Sequence, residues 1–293
     1  MTFLFSGGVG SDALDTLINY FSYDFVRNAM IAGLLISLCA GLLGVTLVLK
    51  RYSMIGDGLS HVAFGAMAIA TVTSMAPMAV AMPVTVLAAI ILLFANQKGL
   101  IKGDAAIAML SAGSLAVGYM LLNIFPSGSG NLGGDVCSSL FGSTSMMTLS
   151  GADVVLCLVL SVAVLLFFTV CYHRIFAVTF DRDFAVASGV HAPIYDLLIA
   201  VVSAIVIVLA MQLVGALLIS ALIIFPALSS MRLFRNFRAV VISSAVIAVI
   251  GSLAGLVISL LFSTPTGASI VVVHIVIFAV CSVISKIMGG VRR

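Results

Sequence analysis

The sequence contains no tryptophan, and all ten of its acidic residues are aspartate, so glutamate is missing too. Without glutamate no HExxH motif can form, which removes the intramembrane zinc-protease class. Charge of either sign is scarce, at 8% of the 293 residues, where a soluble domain carries about 25%. The 13 Lys and Arg outnumber the acids by only a formal +3, too small an excess to point to nucleic acid. Five cysteines (Cys39, Cys137, Cys157, Cys171 and Cys281) form no CxxC or Cys/His finger; most lie in or beside apolar runs, as small buried hydrophobes do. No GxxxxGK[ST] loop occurs, so the sequence gives no sign that the chain binds ATP by itself. The literal GxGxxG at 128–133 lies in a Ser/Gly-rich loop with no strand before it, and carries no weight. No serine, histidine and acid cluster marks a nucleophilic enzyme.

What is present is apolar: 63% of the chain, with a mean hydropathy of +1.34. Such a surface belongs in lipid, where only helices or a closed barrel satisfy the backbone, and long unbroken runs favour helices. Seven runs stand clear, at 28–49, 58–75, 78–95, 105–125, 152–172, 240–262 and 269–285. An eighth, 197–230, is too long for one crossing, because at 1.5 Å per residue it would reach about 50 Å. Gln212, Gly215 and Pro226 interrupt it, so two segments are expected to meet near 212–215, the second short and broken at Pro226. The expectation is an all-α polytopic membrane protein with eight to nine crossings.

Lysine and arginine orient it. With nine crossings and a cytoplasmic C-terminus, twelve of the 13 basic residues fall inside and only Arg27 lies outside. Residues 1–26 lack a basic start and a cleavage site and carry Asp12, Asp15 and Asp24, which reads as an extracytoplasmic acidic tail or interfacial helix. A single membrane domain follows over 27–287, with a cytoplasmic tail at 288–293. Gly251 and Gly255 form a GxxxG, read as a packing contact within the bundle.

Ionisable side chains inside such a bundle cost about 2.5–3.5 kcal/mol each on insertion scales, so each one invites a role. Asp57 and His61 are four residues apart on one helical face, a carboxylate and an imidazole able to clasp Zn, Mn or Fe(II). The same pair also fits an N-capping aspartate and a histidine bonded to a carbonyl. His274, deep in the last run, reads as a packing residue or an additional ligand. Within the inner loop 174–195, Asp181 caps a short helix, Phe180 and Phe184 lie on one side with Ala187, Asp183 follows the cap, and Gly189 and Pro193 stop it. Low basic content there suits a protein groove better than anionic lipid.

The stretches 47–61 (LVLKRYSMIGDGLSH), 180–190 (FDRDFAVASGV), 212–227 and 263–273 resemble, in order, blocks of the permease subunits of zinc, manganese and iron ABC importers, the ABC-3 family. The resemblance implies a permease like those of type II ABC importers, a non-enzymatic transport subunit of the cell membrane. It implies a homodimer, two cytoplasmic ATPase subunits and an extracytoplasmic metal-binding protein as partners. It also implies a transported divalent metal ion (Zn, Mn or Fe) instead of a resident cofactor, with Asp57 and His61 as ligands. Phe180, Asp181, Asp183, Phe184, Ala187 and Gly189 fall in the segment that contacts the ATPase in that family. Two departures stand out: Val-Ala follows Ser60-His61 where Leu-Pro is common, and His274 replaces an apolar residue. A permease for a metal chelate, such as a siderophore or cobalamin, is the alternative.

Overall fold

The computed structural model describes residues 23–97, 103–125, 151–262 and 264–291. The acidic segment 1–22, the loop at 126–150 and Arg292 and Arg293 lie outside the described residues. Nine long helices are present among those described: α1 (Asp24–Leu49), α2 (Ile55–Val72), α3 (Pro77–Gln97), α4 (Gly103–Ile124), α5 (Gly151–Val170), α8 (Ala192–Val214), α9 (Ala216–Leu233), α10 (Phe237–Phe262) and α11 (Thr266–Val291). Two short ones, α6 (Tyr172–Phe180) and α7 (Arg182–Ala187), lie between α5 and α8. Eight of the nine are long and apolar enough to cross a membrane. The ninth, α9, is apolar over Leu218–Leu233, a rise of about 24 Å, shorter than the usual crossing.

That short helix is the centre of the molecule. α9 packs on α1, α2, α8, α10 and α11, so protein covers its flanks, and it need not match the bilayer thickness. Close approach makes this possible: a Cβ added at Gly44 of α1 would lie 2.1 Å from the Ile223 carbonyl oxygen on α9. On its other flank α1 meets α10, where the Ser244 hydroxyl donates to the Gly41 carbonyl at 2.8 Å. α4, α5 and α11 stay at the periphery and leave large apolar side chains such as Met109, Val159 and Ile287 exposed. A surface of that kind suits hydrocarbon contact.

Sequence and structure differ at several ends. The expected split of the long run falls at Gly215, whose φ of 99° ends α8. Pro226, by contrast, does not break α9, which runs through it to Leu233. The missing amide costs one ladder bond, which surrounding helices tolerate inside a bundle. The last helix continues to Val291, so residues 288–291 are helical and not tail, and Asp24 to Val26 belong to α1. The GxxxG is intramolecular: a Cβ at Gly255 would meet Ile270 Cα at 2.5 Å, and one at Gly251 would meet the His274 ring at 2.7 Å.

Candidate metal centre and partner-facing segment

α1 ends in a tight reversal. Arg51 adopts φ 62°, and Tyr52 N–H donates to Leu47 O at 2.9 Å while Arg51 N–H donates to Val48 O at 3.0 Å, a left-handed helix cap. α2 starts again at Ile55, its N-cap being Met54, which leaves Asp57 in the first turn and free of the capping role. Gly56 faces Ser220 and Ile223 of α9, and Gly58 faces Ile107 of α4. Both Gly44 and Gly56 lie against Ile223, so Asp57 sits about 10–15 Å inside the basic end of the bundle by helical rise.

There Asp57 Oδ1 lies 3.4 Å from His61 Nε2. The imidazole is largely buried and the carboxylate is about one quarter exposed, at 13% and 29% of the side chain. His61 Nδ1 is buried without a hydrogen-bond partner, an orphaned polar atom in a place where that is costly. Among the described residues no three His, Cys or Asp side chains gather into a group that could hold a metal. Asp57 and His61 therefore form a two-membered polar pair here.

His274 sits elsewhere. α11 packs on α9 and α10, whereas α2 packs on α3, α4, α8 and α9. His274 is 1% exposed, with Nδ1 2.9 Å from the Ile270 carbonyl and Nε2 unpartnered in the space that Gly251 leaves open. The structure does not bring it together with Asp57 and His61 into a three-membered group.

The segment between α5 and α8 folds as a helical hairpin. Asp181 breaks it: its φ of −145° ends α6, and its Oδ1 accepts from Phe184 N–H at 2.9 Å to cap α7. At the other end of α7, Val190 N–H donates to Ala185 O and Gly189 N–H to Val186 O, with Gly189 at φ 83°. Gly189 thus stops the helix as its type requires, but Pro193 does not: it lies in the first turn of α8. Phe184, Val186 and Phe180 are exposed, and Asp183 and Ala187 share that solvent face. Phe180 closes α6 and not α7, with its ring 5.7 Å from that of Phe237 and 4.9 Å from that of Phe176.

One cluster went unnoticed in the sequence. Asp196, 6% exposed in the second turn of α8, receives Lys50 from the end of α1 on Oδ1, and Arg182 Nε lies 3.2 Å from its Oδ2. Next to it, Arg174 donates to the Tyr195 hydroxyl, which raises the guanidinium further above its ordinary range. A cavity of about 320 Å³ opens beside the bridge, lined by Lys50, Arg182, Asp196, Tyr52 and apolar residues such as Leu47 and Leu92. Lys50 and Arg182 fall among the basic residues that mark the inner side, but nothing in the sequence pairs residues 146 positions apart.

A bundle of membrane-length helices, with the polar Asp57–His61 pair inside and an exposed capped helix at its basic end, is an all-α polytopic membrane architecture. The sequence profile of the ABC 3 transport family matches residues 22–285, and the chain belongs to that family. Its relatives include the manganese transport system membrane protein MntC of Halalkalibacterium halodurans, 27% identical over 93% of this chain and 91% of that protein. A protein named as a probable iron transport system membrane protein of Haemophilus influenzae is 27% identical over 96% and 97%. Among solved structures, PsaBC from Streptococcus pneumoniae in complex with Fab superposes with a TM-score of 0.78 and 26% identity, covering 92% of this chain and 94% of that one.

Proposed function

We propose that this chain is the membrane permease of an ABC importer that carries a divalent transition metal ion, of the class Zn, Mn or Fe, into the cytoplasm. The observation that carries the reading is the Asp57–His61 pair with its orphaned His61 Nδ1 inside the bundle. Relatives of the same length are named for manganese and iron transport, which supports the cargo class. A carboxylate oxygen and an imidazole nitrogen suit all three ions, since affinity order alone does not select among them.

Two ligands per chain hold an ion too weakly for storage, and transport needs that weakness. A second copy related by a twofold axis would bring a second aspartate and histidine, so the working unit of this proposal is a homodimer with the ion near its axis. Because the chain has no phosphate loop, two cytoplasmic ATPase subunits supply hydrolysis, docking on the capped helix α7 and the exposed Phe180 and Phe184. An extracytoplasmic binding protein delivers the ion at the opposite face. The basic end of the bundle and the C-terminus are then cytoplasmic, in a plasma membrane.

The test is uptake of radioactive manganese, iron and zinc by a deletion strain expressing Asp57→Ala or His61→Ala. Loss of uptake with normal membrane insertion and ATPase association is expected. Undiminished uptake by both variants sinks the site. Competition by the free ion, and not by its chelates, separates this reading from a chelate permease.

A further inference from the structure

We propose that Asp196 is a positioning residue of the transport cycle, the group through which displacement of α7 reaches the membrane helices α1 and α8. The proposal rests on the reading of 174–195 as the ATPase-facing segment, and goes beyond it by naming what joins that segment to the bundle.

Packing alone joins α7 thinly. It is six residues long, and only Ala185 in it is buried. The apolar contact under α7 is a small cluster of Val178, Ala185 and Ala192, separate from the main core that α6 reaches through Ile175. Small side chains over so short a helix transmit little force, because coupling needs contacts that hold their geometry as one element moves. The charged contact has that character. One carboxylate, 7% exposed, receives Lys50 of α1 on one oxygen and Arg182 of α7 on the other. Each oxygen thus contacts a different element, and Asp196 itself belongs to a third, α8.

Removing the carboxylate would leave two cations facing one space, so neither cation can stand in for the hub. The exposures are graded along the same line: Arg182 is 41% exposed and Lys50 12%. The bridge therefore runs from the surface, where a partner would push, to the half-buried end of α1. From there only the Arg51 reversal separates Lys50 from α2 and its Asp57–His61 pair. Arg174 on Tyr195 ties α6 to the same turn of α8, so the polar ties of the hairpin meet on two adjacent residues of α8. The cavity beside Asp196 leaves room for the bridge to shift as a unit without displacing packed side chains.

The experiment uses the complete transporter, with permease, ATPase and binding protein, reconstituted in liposomes, and reads metal moved per ATP hydrolysed. Asp196→Asn keeps the side-chain shape and removes the charge. It is expected to lower that ratio about tenfold while the ATPase remains bound and hydrolyses ATP. Asp196→Glu restores most of the ratio, and adding Lys50→Gln to Asp196→Asn lowers it no further. An unchanged ratio in Asp196→Asn overturns the proposal, and so does a fall in hydrolysis that matches the fall in transport, which marks a role in folding or assembly alone. Phe184→Asp separates the two levels. If it leaves the ATPase attached, the docking reading of α7 fails whatever Asp196 does. If it releases the ATPase while Asp196→Asn keeps full coupling, only the transmission proposal fails.

Discussion

Asp196 and Asp57 lie in the same bundle and face opposite situations. Asp196 has both oxygens engaged by cations from the protein itself. Asp57 has only His61, at 3.4 Å, and that histidine keeps a buried nitrogen with no partner. A buried charge whose partners are all supplied is a structural joint, because removing one partner strands the others. A polar pair left short of partners needs an explanation of its own, and an ion is the partner proposed for this one. Lys50, the partner of Asp196, precedes Asp57 by only the reversal at Arg51 and the first turn of α2, so one short turn connects the two clusters.

The largest effect should come from the completed cluster. Asp196→Ala strands Lys50 and Arg182, and should lower the stability of the purified permease by about 3 kcal/mol, the lower part of the range for broken buried pairs because Arg182 is partly exposed. The thermal midpoint in detergent reads this. Ala at Asp57 or His61 should do the reverse, cutting metal uptake about 10–100-fold while the midpoint stays within error. If Asp57→Ala melts like Asp196→Ala, the contrast between joint and polar pair collapses.

Two smaller effects sharpen the contrast. Gly189→Ala meets no atom within 4 Å, so its cost is backbone strain at φ 83° alone, about 1 kcal/mol, felt as weaker ATPase association in a pull-down titration. His274→Leu should be the mildest: it gives up one bond to Ile270 and an unpartnered nitrogen, a change of about 1 kcal/mol or less. Uptake by this variant is expected to match the parent. A loss as deep as that of His61→Ala would return His274 to the ion's path.

Much of this was legible from local chemistry. Apolar runs flanked by Lys and Arg locate the crossings, because lipid permits only helices there. The Gly215 break, the Asp181 cap and the Gly189 stop were also readable, since each depends on a residue's own geometry or on a partner a few positions away. Pro226 misled, because its effect depends on what surrounds the helix, and α9 is enclosed by five others. Gly251 and Gly255 announced close packing without naming His274 and Ile270 as the neighbours.

The sequence by itself determined that this chain is an all-α polytopic membrane protein, and it put Asp57 and His61 on one face. Those conclusions follow from composition and from spacings within a single helix. Only the tertiary structure decided that Asp196 joins Lys50 to Arg182, that α9 can be short because it is surrounded, and that His274 lies in another packing layer. Such facts depend on which helices become neighbours, and neighbours are chosen by the fit of whole surfaces, at separations no local pattern records.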